Sequence, residues 1–184
     1  MVYLWTIPDD YPEDLIGTYD RSRSPDRFLL KQGKPLHPVA DVYVRFDAKA
    51  SDLRELDDLA TNAMVPLVST RVAEVLVRVA AGQIQLIPTK IITSDAEMTD
   101  YSIVVATSLV QGIDHDSSQY VFVPGTSSIM KFTKLRYKQD CLGVLHIARD
   151  AEYLSNLLVS DVLRNALESL DPQGMGLYEP GAMS

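Results

Sequence analysis

The chain has one cysteine, Cys141, in 184 residues. No internal disulfide can form, so the sequence suits a reducing compartment, and a cytoplasmic location is expected. Long apolar runs are missing too. The longest, Tyr101 to Val110, is interrupted by Ser102, Thr107 and Ser108 and falls short of the roughly 20 residues needed to cross a bilayer. The start, Met1-Val-Tyr-Leu-Trp-Thr-Ile, has no basic region and soon meets Asp9 and Asp10, unlike a signal peptide. Basic residues are scarce: 17 Lys and Arg against 25 Asp and Glu leave a net charge of -8. That balance argues against direct nucleic-acid binding through phosphates and favours a cationic protein partner.

Catalytic signatures are also lacking. Gly125-Thr-Ser-Ser-Ile has no second glycine for a nucleophile elbow and reads as a polar turn. Cys141 and His146 are an odd number of residues apart, so on a single strand they would face opposite sides. Asp114-His115-Asp116-Ser117 resembles the opening of a calcium loop, but Gln119 and Gly125 stand where that loop needs Gly and Glu. These Asp and Ser residues suit a turn between strands. No pair of histidines has zinc-ligand spacing, and there is no glycine-rich dinucleotide or phosphate loop. No catalytic residue, metal or cofactor is expected. A small hydrolase or metal-dependent enzyme built on Asp114, His115 and Asp116 is the alternative.

The residues that are present describe a globular chain, since 46% are hydrophobic and 23% charged. Five of the ten prolines lie between Pro8 and Pro38. Residues 1–41 therefore read as an extended arm packed on the core, with Tyr3, Trp5 and Ile7 as a first strand and Phe28, Leu29 and Leu30 as anchors. Residues 42–184 read as one folding unit.

Three helices are predicted. The first starts at Ser51, with Leu53, Leu56, Leu59, Ala60 and Ala63 on one face. The second starts at Ser69, with Val72, Val75, Leu76 and Val79, and ends at Gly82. The third starts at Ser160, with Leu163, Ala166, Leu167 and Leu170, and ends near Pro172. Leu67-Val68-Ser69 and Leu158-Val159-Ser160 lead into the last two alike, a repeated helix-to-strand unit that general capping rules alone could also produce.

Strands are expected at 42–46, 84–92, 101–110, 119–123, 131–138 and 143–149. Pro88 calls for an edge or a bulge. The stretch 101–110 is apolar on both faces and suits a central strand. Clustered strands between helices favour an α+β fold with a mixed or antiparallel sheet and about three packed helices.

Charge gives the clearest functional signal. From Lys90 to Lys131 no Lys or Arg intervenes, while Asp95, Glu97, Asp100, Asp114 and Asp116 all occur. Beyond it Lys134, Arg136 and Lys138 alternate along one strand face. The acidic zone is a solvated surface or a face that steers a basic partner, with Tyr101 and Tyr120 as anchors.

Several segments, in this order, resemble the myxobacterial-type immunity protein family of bacterial polymorphic toxin systems. They are Pro66-Leu-Val-Ser-Thr-Arg-Val-Ala-Glu-Val-Leu, Gln85-Leu-Ile-Pro88, Tyr101, Gly112-Ile-Asp-His-Asp-Ser-Ser118, Leu158-Val-Ser-Asp-Val-Leu-Arg-Asn-Ala-Leu and Gly176-Leu-Tyr-Glu-Pro180. The resemblance spans residues 42 to 180. It implies an intracellular bacterial protein that binds and blocks a cognate toxin, with a basic nuclease suiting the acidic charge.

Overall fold

Each Leu-Val-Ser triplet is a short strand that runs straight into a helix. A computed structural model describes residues 1–181. In chain order the described elements are β1 (Val2–Thr6), β2 (Thr18–Tyr19), β3 (Val42–Arg45), α1 (Ala50–Leu53), β4 (Leu67–Ser69), α2 (Thr70–Val79), β5 (Ile84–Ile92), β6 (Glu97–Ala106), β7 (Leu109–Val110), β8 (Gln119–Phe122), β9 (Ile129–Lys134), β10 (Ile147–Asp150), β11 (Leu157–Ser160), α3 (Asp161–Glu168) and β12 (Gly176–Tyr178). The architecture is α+β. One mixed sheet has the order β12-β1-β11-β10-β7, a second mixed sheet β2-β3-β5-β6-β4, and β8 and β9 form a separate hairpin.

The two helical units are built alike. β4 and β5 both pair antiparallel with β6, which lies between them, and α2 connects them. β11 and β12 both pair antiparallel with β1, and α3 connects those. Ser69, Val72, Val75 and Leu76 match Ser160, Leu163, Ala166 and Leu167 in spacing. The repeat expected from the triplets is therefore present in the topology, although in one unit the intervening strand follows the helix and in the other it opens the chain.

Three apolar layers follow from strand alternation. The central layer takes Tyr3 and Trp5 from β1, Val68 from β4, Val104 and Ala106 from β6, and Val159 from β11. Val72, Val75 and Leu76 of α2 join Leu163 and Leu167 of α3 there. The outer face of the second sheet packs Ile103 and Val105 against Leu30 of the arm and Leu53 of α1. The outer face of the first sheet buries Leu4, Ala148 and Leu158 beneath Ile113, Leu135 and Leu142. β6 is thus covered on both faces, as its unbroken apolar run implies.

Pro88 pairs with Ser102 just before the β3 ladder begins at Thr89, and the register shifts between Thr89 and Ile91. Its missing N–H thus falls where no ladder bond is needed, within an interior strand rather than an edge one.

Several expectations need correction. The first helix is a single turn, and Ser51 does not cap it: the Ala50 amide donates to Asp95 Oδ1 at 2.9 Å. The residues beyond it turn their amides to carbonyls distant in the chain. Asp57 and Asp58 donate to Gln173 O, Leu59 to Leu67 O and Asn62 to Gly17 O, and Met64 adopts a φ of 56°, so a helix cannot continue. Of the three expected arm anchors only Leu30 is buried, while Phe28 is 60% exposed. The strand from Lys131 ends at Lys134, so Arg136 and Lys138 share no strand face with it. Residues 101–110 divide between two sheets, β6 in one and β7 in the other.

Candidate functional site

The five acids of the charged zone separate into two groups. At the β5–β6 end, Asp95 accepts from the Ala50 amide and from Thr93 Oγ1 at 3.0 Å, and these bonds hold its carboxyl below the ordinary value. Asp100 pairs with Arg54 at 3.1 Å. Glu97 is exposed. Tyr101 is not a surface anchor. It is 4% exposed, and its hydroxyl lies 3.0 Å from Leu53 O and 2.6 Å from Leu56 O. Burial, reinforced by the charge of Asp100, raises its pKa.

The second group flanks the outer face of the first sheet. Asp114 Oδ1 accepts from the Asp116 and Ser117 amides at 3.2 and 3.3 Å. The side chain thereby builds a tight turn, and hydrogen bonding from Ser117 leads the causes that lower its pKa. Asp116 is exposed. The turn throws His115 outward to stand between Tyr120 Oη and Glu152 Oε2, each 2.8 Å from a ring nitrogen. Tyr120 then starts a chain of edge-to-face rings: Phe122 at 5.2 Å, Phe132 at 5.8 Å, and Tyr153 at 5.2 Å from Phe132.

The hairpin that carries these rings covers the first sheet only in part. Ile129 and Phe132 pack inward, whereas Val121, Phe122, Val123 and Met130 are 38 to 47% exposed. Its tip is the polar turn expected from Gly125-Thr-Ser-Ser, closed by the Val123 amide on Ser128 O and with Gly125 at a φ of 76°. Exposed aromatic and aliphatic groups held rigid by neighbouring rings, with carboxylates at the base, make a surface suited to protein recognition. Tyr120 is the one sequence-derived anchor on it, with Asp114 and Asp116. Glu152 was missed because it meets His115 only through the fold, and Phe122 because an aromatic in an alternating strand reads as core.

The other catalytic candidates are engaged structurally. Cys141 and His146 line one cavity of about 210 Å³, but His146 Nδ1 is bonded to Ser160 Oγ at 2.9 Å and burial raises the Cys141 thiol. Ser160 Oγ also accepts from the Leu163 amide and caps α3. Ser69 instead donates to Asp57 Oδ1 at 2.8 Å. Asp57 also accepts from Arg71 through Nε at 2.6 Å and through Nη2, and from the Gln173 amide at 3.0 Å. Among the described residues no three His, Cys, Asp or Glu side chains converge as a metal site, and no helix is long and apolar enough to cross a membrane.

Residues 8–181 match the model of the Imm11 immunity protein family. The match extends into the arm, well before residue 42. No curated protein matches the chain.

Proposed function

The chain belongs to the Imm11 immunity protein family, and on that premise we propose that it binds a cognate bacterial toxin and neutralises it by occlusion in the cytoplasm. The family match over nearly the whole chain carries this reading. The exposed hairpin supports it, since aromatic groups held by neighbouring rings beside the exposed Asp116 and the turn carboxylate of Asp114 supply both the anchors and the charge that tight complexes use. The toxin-facing surface is the hairpin, with Tyr120 and Phe122 on one face of β8 and Val121 on the other, and with Asp114 and Asp116 at its edge. Asp95, Glu97 and Asp100 lie on a separate edge and contribute only to the long-range field. A basic nuclease suits the net charge of -8. The Asp114, His115 and Asp116 enzyme alternative has no comparable support, because Asp114 is committed to its turn and His115 to Tyr120 and Glu152.

Co-expression with the toxin encoded beside the gene tests the proposal. The wild-type chain should restore growth and co-purify with the toxin at roughly nanomolar affinity, a range open to an interface of ordinary size. Cells that still die, with no complex recovered, would sink the assignment for that pair.

A further inference from the structure

A two-stranded hairpin has two edges with no strand beside them, and those of β8 and β9 are unlike. Among the described residues β8 pairs only with β9. The Val123 amide donates to Ser128 O at 2.9 Å, and along an antiparallel strand the bonded and unbonded residues alternate. The N–H and C=O groups of Phe122 and Tyr120 therefore point away from β9 and form the open edge of β8.

Open edges invite another strand, and proteins guard them with lysines and bulges. β9 has both. Lys131 and Lys134 are exposed, and the residues skipped at the two register shifts, Met130 and Thr133, both belong to β9. Phe132, Thr133 and Lys134 also border a cavity of about 180 Å³ shared with Leu4, Asn156 and Gly181. β8 has none of these guards: Gln119-Tyr-Val-Phe122 is regular and carries no charge and no proline. Its start adjoins the turn that bears the exposed Asp116, with Glu152 held close through His115 and Tyr120.

We propose that β8 takes a strand of the toxin along this edge, an inference that rests on the toxin-binding reading above. The incoming segment is extended, with apolar or β-branched residues beside Tyr120, Val121 and Phe122 and a lysine or arginine at the end that passes Asp116. Main-chain bonds to Tyr120 and Phe122 supply affinity, and the rings and carboxylates select the partner. A second copy of this chain fits the edge less well, because each copy brings a net charge of -8.

NMR of the isotopically labelled chain bound to the unlabelled toxin encoded beside the gene tests the edge. Backbone protons of Tyr120 and Phe122 should show contacts to backbone protons of one toxin segment, since paired strands lie within about 5 Å of each other. In the free chain the Tyr120 and Phe122 amides should exchange with solvent faster than those of Val121 and Val123, and the complex should slow them by roughly a hundredfold or more. Val121→Lys gives β8 the guard that β9 already has and should weaken the complex by roughly tenfold or more with the fold kept. Full affinity in Val121→Lys would overturn the edge and leave toxin binding standing, as would a complex in which the Tyr120 and Phe122 amides exchange as in the free chain. A free chain that light scattering shows to be a dimer, with those amides already protected, would give the edge to a second copy instead. A wild-type chain that forms no complex would overturn the immunity reading and the edge with it.

Discussion

The two ends of the acidic zone use the same residue types in opposite ways. At the β5–β6 end Asp95 closes the start of α1, Asp100 holds Arg54, and Tyr101 is sunk against the carbonyls of Leu53 and Leu56. At the hairpin end Asp116 is exposed, and Tyr120 is held at the surface by His115 and a chain of rings. Charge alone marked both ends equally. Only the partners of each side chain separate groups that stabilise the fold from groups free to meet another protein.

Paired substitutions put the widest distance between the ends. Tyr101→Ala should cost about 3 to 5 kcal/mol of stability, as for other large aromatics removed from a core, and leave toxin affinity of the folded fraction intact. Phe122→Ala, at 47% exposure, should stay within about 0.5 kcal/mol in denaturant melts and weaken toxin binding by about 2 kcal/mol or more. Reversed outcomes would exchange the roles of the two ends.

Titration extends the contrast to an acid fully inside. Asp58 is pushed up to about 7, chiefly by burial, against the hydrogen bonds from Trp5 and Leu67 that pull it down. A raised carboxyl favours the neutral form in the folded state. Its stabilising effect is therefore complete below about pH 4 and is lost as pH rises towards 7, on the order of 4 kcal/mol in all. Asp95 and Asp114 are lowered and act with the opposite sign, weakening the fold only as acid conditions protonate them. Urea melts from pH 4 to 8 should show the decline, and Asp58→Asn should flatten it; a flat wild-type profile would contradict the burial argument.

Smaller effects sharpen the comparison further. Asp95→Ala removes the acceptor for the first amide of α1 and should cost about 1 kcal/mol, with toxin association unchanged. Replacing Asp114 and Asp116 with Asn should slow association several-fold at low salt, an effect that about 0.5 M salt should erase. Stopped-flow mixing measures the rates.

Local pattern made α2 and α3 legible, because their apolar stripes and serine starts need nothing beyond neighbouring residues. It also located β6, whose two apolar faces announce a strand covered on both sides. The same rule overextended α1, since Leu56, Leu59, Ala60 and Ala63 have helical spacing while their segment is held by Gln173, Leu67 and Gly17. β11 escaped notice as a strand because it is short and pairs with β1 at the far end of the chain, and the strand expected after the third helix is β12, whose pairing with β1 no local pattern announces. Ser69 and Ser160 looked equivalent, yet Ser160 caps its helix and Ser69 serves Asp57. For the candidate surface, sequence pointed to Asp114, Asp116 and Tyr120. Glu152 and Phe122 depend on which faces the fold leaves open.

The most direct test is the affinity of the purified chain for the toxin encoded beside it, measured for wild type and for Tyr120→Ala with Phe122→Ala. We predict a Kd of roughly nanomolar or tighter for the wild type, a loss of about a hundredfold or more in the double variant while it remains folded, its melting temperature lowered by the lost ring contacts of Tyr120, and growth protection that falls with affinity. Protection by a chain that forms no complex with the toxin would contradict neutralisation by binding, and full affinity in the double variant would remove the hairpin from the interface.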